Sequence, residues 1–272
     1  MRTAAQLVRN PDALGGIVIL AVITGLCVFG PLWLYAPNAI DLGAFSRAPS
    51  LHHLMGTDDL GRDEFTRILY GGRVSLLVGF SAMAVGIGFG GTLGAICGWC
   101  GGVIDVALMR VVDAAMSIPS LFLLLFLAVV VPPGAVSIAI VIGAVMWMRP
   151  ARLMRAQVLS LKPREYVEAA YAIGSSSARI LLRTITPNAI APLIVEGTLL
   201  VGHAIVAEAA MSFLGFGIQP PTPSWGNMLT NAQTFVAGAP WLAIFPGLMV
   251  FVSVLGFNLL GDALREVLRG TR

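Results

Sequence analysis

Four stretches of this chain contain no Asp, Glu, Lys or Arg: residues 17–34, 74–104, 114–148 and 209–261. A helix needs about 20 apolar residues to cross the roughly 30 Å hydrocarbon core of a bilayer, and each run supplies most of a span or more. The chain is 57% hydrophobic and 11% charged. Soluble domains carry roughly 25% charged residues, because a water-facing surface must be solvated. The expected fold class is an all-α polytopic membrane protein.

Six transmembrane helices are predicted, near 17–34, 74–98, 114–131, 134–149, 185–207 and 241–261. The third and fourth come from one uncharged run, split at Pro132, Pro133 and Gly134. Two adjacent prolines remove two backbone donors and favour a turn, so a hairpin is expected there. Pro119 should kink the third span near its cytoplasmic end.

Charge then sets the orientation. With the N-terminus inside, the inner side holds Arg2, Arg9, Arg110, the seven basic residues between 149 and 183, Arg265, Arg269 and Arg272. Only Arg47, Arg62, Arg67 and Arg73 fall outside. Basic residues resist translocation, so both termini are expected in the cytoplasm. The first run exceeds a signal-peptide core and lacks an A-x-A-like site, which predicts a retained anchor. Residues 1–72 then form an anchor helix and external loop. Residues 73–272 form the core, with a cytoplasmic segment at 150–184.

The net charge of +3 is dispersed at the ends of apolar runs and predicts no nucleic-acid partner. Cys97 and Cys100 form a lone C-x-x-C without further ligands and read as packing residues. Glycines at 86, 90, 94, 98 and 102, extended back to Ala82, line one helix face and predict close approach of another helix.

One polar segment interrupts the apolar pattern: "EYVEAAYAIGSSSARILLRTITPN", residues 165–188. Pro163 suits the first turn of a helix, and Tyr166, Ala169, Ala170 and Ile173 make one small stripe. Gly174 suits a helix stop at positive φ, Ser175 or Ser176 a cap for a second helix, and Pro187 the opening of the fifth span. Glu168, Ala169, Ala170, Gly174 and Pro187 together resemble the EAA loop of permease subunits of binding-protein-dependent ABC importers. Thr186 stands where that family usually has Leu, and the change predicts looser local packing.

The stretches "LMGTDDLGRDEFTRILYGGRVSLLVG", "ARLMRAQVLSLKPREYVEAAYAIG" and "AEAAMSFLGFGIQPPTPSWGNML" are similar to C-type permeases of the dipeptide, oligopeptide and nickel importer group. The resemblance implies a type I ABC importer permease fold. It also implies a related B-type permease, two ABC ATPase subunits and an extracytoplasmic solute-binding protein as partners, within an inner-membrane complex. Tyr166, Glu168, Ala169, Ala170 and Gly174 would form the contact with the ATPase. The chain has no G-x-x-x-x-G-K-[ST] loop and its one lysine is Lys162. It is therefore expected to hold no cofactor and to be no enzyme, ATP and Mg acting in the partner ATPases.

Glu196, within "PLIVEGTLLVG", is costly in hydrocarbon by at least about 2.5 kcal/mol. It reads either as lining of a substrate path, with His203 two turns on, or as a structural hydrogen-bonding group. His52 and His53 read as a solvated loop, not a metal site. The external stretch "GTDDLGRDEFTRILYGGR" predicts a capped, salt-bridged helix at the outer interface before the second span. Pro220, Pro221 and an interfacial Trp225 suit an outer gate or a contact for the binding protein. The expected function is the permease subunit of an importer of di- or oligopeptides, with nickel and other solutes left open. An ion-coupled secondary transporter is the alternative reading.

Overall fold

The computed structural model describes residues 10–34 and 36–270, with side chains through Leu268. Arg2, Arg9, Arg272 and the side chain of Arg269, which enter the charge argument, lie outside the described residues. Helix α1 spans Pro11–Phe29, and a 3-10 turn, Gly30–Leu32, completes the first span. It begins earlier than the uncharged run because Asn10 caps it, accepting from the Asp12 and Ala13 amides, and Pro11 occupies a position that needs no donor.

Helix α2 spans Glu64–Cys100 without a break. The Asp63 carboxylate caps it, accepting from the Thr66 amide and hydroxyl at 2.8 Å each. The capped, ion-paired helix expected at the outer interface is therefore no separate element but the first turns of the second span. Nothing between Glu64 and Arg73 interrupts helical hydrogen bonding, and the chain itself buries this end. Gly71 closes on the Ser224 backbone, and Gly72 closes on the Trp225 ring.

Gly101, at φ +64°, ends α2, and α3 follows at Gly102–Met116, then α4 at Ser120–Val130. The predicted third span at 114–131 is not one helix. Pro119 caps α4, and the two helices meet at 93°. Eleven helical residues rise only about 16 Å. The fourth span is also corrected: α5, Ala135–Met146, continues after a 43° bend at Trp147 into α6, Met148–Leu161. The turn at Pro132–Gly134 lies where the double proline placed it.

Short α7, Glu165–Ala172, and α8, Ser177–Ile180, precede a π turn at Leu181–Ile185 and the long α9, Thr186–Phe213. Then come α10, Trp225–Phe235, and α11, Trp241–Gly270. Among the described residues, four helical segments are long and apolar enough to cross a membrane: Pro11–Leu32, Glu64–Cys100, Ser177–Phe213 and Trp241–Leu268. Counting each bent pair as one span gives six.

The glycine row explains the packing of α2 against the α5–α6 pair. A Cβ at Gly90 would meet the Trp147 carbonyl, at Gly94 the Ala151 carbonyl, and at Gly98 the Arg155 carbonyl at 2.9 Å. Side-chain-free positions at four-residue spacing let the two backbones touch, as membrane helices require in the absence of a hydrophobic drive between them. Gly102 does not belong to this row: the helix has already ended, and space around it is open. On the far side, α1 packs on α11 through Gly16, where a Cβ would lie 2.8 Å from the Gly256 carbonyl oxygen. Asn10 Nδ2 donates to Glu266 at 2.8 Å. Two ion pairs tie α3 to α6: Arg155 forks onto Asp105, one arm at 2.6 Å, and Arg152 meets Asp113.

Candidate functional site

The polar segment is built on a ring stack. Lys162, just past α6, donates from Nζ to the Trp99 carbonyl at 2.7 Å and lies 5.4 Å from the centre of the Trp99 ring. Tyr171 of α7 stacks on Trp99, centroids 6.1 Å apart and planes 9° from parallel. Val167, fully buried, packs into the cluster formed by Met154, Val158, Ile180 and Ile185. One side of α7 is thus fixed to the ends of α2 and α6. The opposite side is open, with Tyr166, Glu168, Ala169 and Ile173 exposed.

The helix begins after Arg164, whose backbone is extended, so Pro163 precedes the first turn instead of occupying it. Its end is a Schellman closure: the Ser175 amide donates to the Ala170 carbonyl at 3.1 Å, and the Gly174 amide to Tyr171 at 2.9 Å. That closure requires a residue at positive φ, and Gly174 has φ +80°. Ala170 faces the cluster, half-buried, apart from the exposed Tyr166, Ala169 and Ile173 of the expected stripe. Ser176 holds the N-cap position of α8, but its side chain makes no capping bond.

Pro187 stands in the first turn of α9, where it was expected to open the fifth span, but α8 and the π turn run into it, so the continuous helical segment starts at Ser177. A proline there lacks an amide and its ring crowds the carbonyl four residues back, and a π turn relieves both. Thr186 takes part in the repair: its hydroxyl donates to the Leu181 carbonyl at 2.8 Å. Asn188 Nδ2 donates to the Thr184 carbonyl at 2.7 Å. The hydroxyl at 186 therefore stitches the turn, where the sequence predicted only looser packing.

Glu196 and His203 of α9 line one cavity of about 510 Å³. Other walls come from the two bends, Ile118, Pro119, Ser120, Leu121 and Leu124 across the α3–α4 corner and Met148 with Arg149 after the α5–α6 break. Glu196, half-buried, also faces a second cavity of about 340 Å³ shared with Gln157 and Arg265.

At the other end of the bundle, Pro220 and Pro221 are exposed, as a surface contact requires. Trp225 is not interfacial: its ring is 0% exposed, and Nε1 donates to the Ile68 carbonyl at 3.0 Å. It anchors the loop to α2 from within. A capping box between Ser224 and Asn227 starts α10 beside it.

Sequence reasoning missed Glu208, a fully buried carboxylate. Its oxygens accept from Ser75 at 2.8 Å and Ser212 at 2.7 Å. Those hydroxyls in turn accept the Trp225 amide at 3.3 Å and the Ile218 amide at 3.0 Å. The signal was present, since Glu208 is an isolated acid between apolar stretches, as Glu196 is. The same end carries a second polar knot. Asp58 accepts the Leu60 and Arg62 amides at 2.9 Å each and Arg62 Nε at 2.6 Å, with Arg67 Nε 3.5 Å away. His53 Nδ1 lies 3.0 Å from Asp63, while His52 is exposed.

Comparison with known proteins places this architecture. Residues 90–270 match the family described as binding-protein-dependent transport system inner membrane component. The dipeptide transport system permease protein DppC of Alkalihalophilus pseudofirmus is 41% identical over 97% of this chain and 87% of its own length. A putative peptide permease protein of Brucella suis is 41% identical over 97% of this chain and 89% of its own. Another Brucella relative, a putative peptide transport system permease protein of Brucella abortus, is 38% identical over 98% of this chain and 90% of its own. The chain therefore belongs to the binding-protein-dependent transport inner-membrane family: it is a multi-pass permease subunit of an ABC importer, and the ion-coupled alternative falls.

Proposed function

We propose that this subunit forms part of the translocation path for di- or oligopeptides, and that α7 is its contact with a partner ATPase. The peptide assignment is supported by the names of relatives that match nearly the whole chain. The observation that carries the ATPase contact is the two-sided seating of α7. One face is seated through Tyr171 on Trp99, which Lys162 in turn holds, and the other presents Tyr166, Glu168 and Ala169 to a partner. A helix held in this way passes displacement to α2 and α6, because the aromatic stack leaves it little freedom to slip. The basic-residue count supports a cytoplasmic position for α7 and for both termini. The related permease, the paired ATPases with their ATP and Mg, and the extracytoplasmic binding protein complete the assembly.

The test is ATP hydrolysis and uptake by the reconstituted complex, with and without the liganded binding protein. Glu168→Lys is expected to abolish the stimulation of hydrolysis, and uptake should fall by about tenfold, equivalent to about 1.4 kcal/mol of lost coupling. Gly174→Leu should do the same, since a side chain at φ +80° opposes the closure by on the order of 1–2 kcal/mol. Wild-type stimulation and uptake in both variants would exclude α7 as the contact.

A further inference from the structure

The cavity beside α9 has a charge pattern that the family assignment does not explain. Its walls are apolar apart from Ser120 and three ionisable groups: Glu196, His203 and Arg149. Among the described residues, Glu196 and Arg149 make no ion pair and no side-chain hydrogen bond, with each other or with any neighbour. Elsewhere at this end of the bundle Arg155 closes on Asp105 and Arg152 on Asp113. Arg149 is exposed and Glu196 half-buried on the wall of this chamber, so both are free to meet an incoming charge, and a carboxylate within a membrane span marks a solute path.

We infer that Glu196 and Arg149 are the two poles of a subsite for a zwitterionic solute. Glu196 receives its ammonium group, and Arg149 receives its carboxylate. The inference rests on the reading of this subunit as a peptide path. It adds that the free ends of the solute are recognised within the membrane-embedded subunit. The chamber, about 510 Å³, falls within the roughly 300–1,000 Å³ range of small-ligand sites. Its apolar remainder suits side chains of varied shape, because no other directional group besides His203 and Ser120 selects among them. Arg149 holds its place through the 43° break before α6, which turns the residue out of the α5 axis and onto the chamber wall. Arginine suits a carboxylate there, since its planar fork can engage both oxygens.

The complex in proteoliposomes, with its binding protein, tests this using labelled dialanine, N-acetyl-dialanine and dialanine amide. Because the binding protein is the same throughout, a change in preference between variants reports on the subunit. Wild type should take up dialanine, which first establishes the path. Glu196→Gln should cut dialanine uptake per ATP hydrolysed about tenfold and narrow the gap between dialanine and the N-acetyl form. Arg149→Gln should instead narrow the gap to the amide. Glu196→Asp and Arg149→Lys, which keep the charges, should retain uptake and show that the chamber has not collapsed. Equal losses for all three peptides would overturn the two-pole subsite while leaving the path intact. A wild-type complex that hydrolyses ATP but imports no peptide would overturn both.

Discussion

Replacing Gly94 with alanine should drive α2 and α6 apart and sharply reduce the folded subunit. The new methyl would overlap the Ala151 carbonyl and come within 2.9 Å of its carbon. Both are backbone atoms that cannot turn aside. Overpacking of a tight contact costs about 1–3 kcal/mol when side chains can adjust, and backbone offers less relief. Gly88 provides the control: it lies on the same helix, and a methyl there would find nothing within 4 Å. Gly88→Ala should be neutral, or stabilising by up to about 1 kcal/mol from helix propensity. The measurement is the yield and thermal midpoint of the detergent-purified complex for the two variants side by side. Equal midpoints would show that the glycine row does not set the separation of these helices.

Glu208→Ala should be the second severe change. It removes the acceptor of two buried hydroxyls and leaves a hole where four segments of the chain meet: α2, α9, the loop after it and the start of α10. Unsatisfied buried groups cost about 1–3 kcal/mol each, so a loss of about 3 kcal/mol or more is expected. Glu208→Gln keeps the shape and one acceptor, and the Ser75 and Ser212 hydroxyls can rotate to receive its amide. It should cost only about 1 kcal/mol. Thermal unfolding of both variants decides the matter. A Gln variant as unstable as the Ala variant would mean that the charge, not the hydrogen-bond geometry, holds this corner together.

The spans were legible because the absence of charge over long runs has one physical meaning in a chain of this composition. The glycine row was legible for a similar reason, since four-residue spacing fixes a face without any knowledge of the partner. Gly174 could be read because few residues tolerate the backbone that ends α7. What could not be read depended on tertiary packing. Hydropathy reports composition, not axis, so the 93° corner at Pro119 looked like a kink inside one span. The outer polar stretch looked like a surface helix because its charges suggested water. In the fold, Asp58, Arg62 and Arg67 satisfy one another while buried. Trp225 looked interfacial beside three prolines, yet Gly72 leaves the room that its ring fills. Of the candidate site, the residues of α7 could be named from the pattern. The stack of Trp99, Lys162 and Tyr171 could not, because its members come from separate parts of the chain.

Helix α2 has a mechanical consequence. Its 37 residues make a rod about 55 Å long, nearly twice the thickness of a bilayer core. Arg67 near one tip is gripped by the Asp58 knot, and Trp99 near the other carries the α7 stack. No proline or π turn interrupts it, so it has no joint at which to absorb a push. A tilt of only about 5° pivoting at one tip would sweep the other through about 5 Å. If α7 is the ATPase contact proposed above, the grip at Asp58 would serve as the fulcrum of that sweep, and loosening it should blunt the stroke that a push at the Trp99 end delivers along the rod.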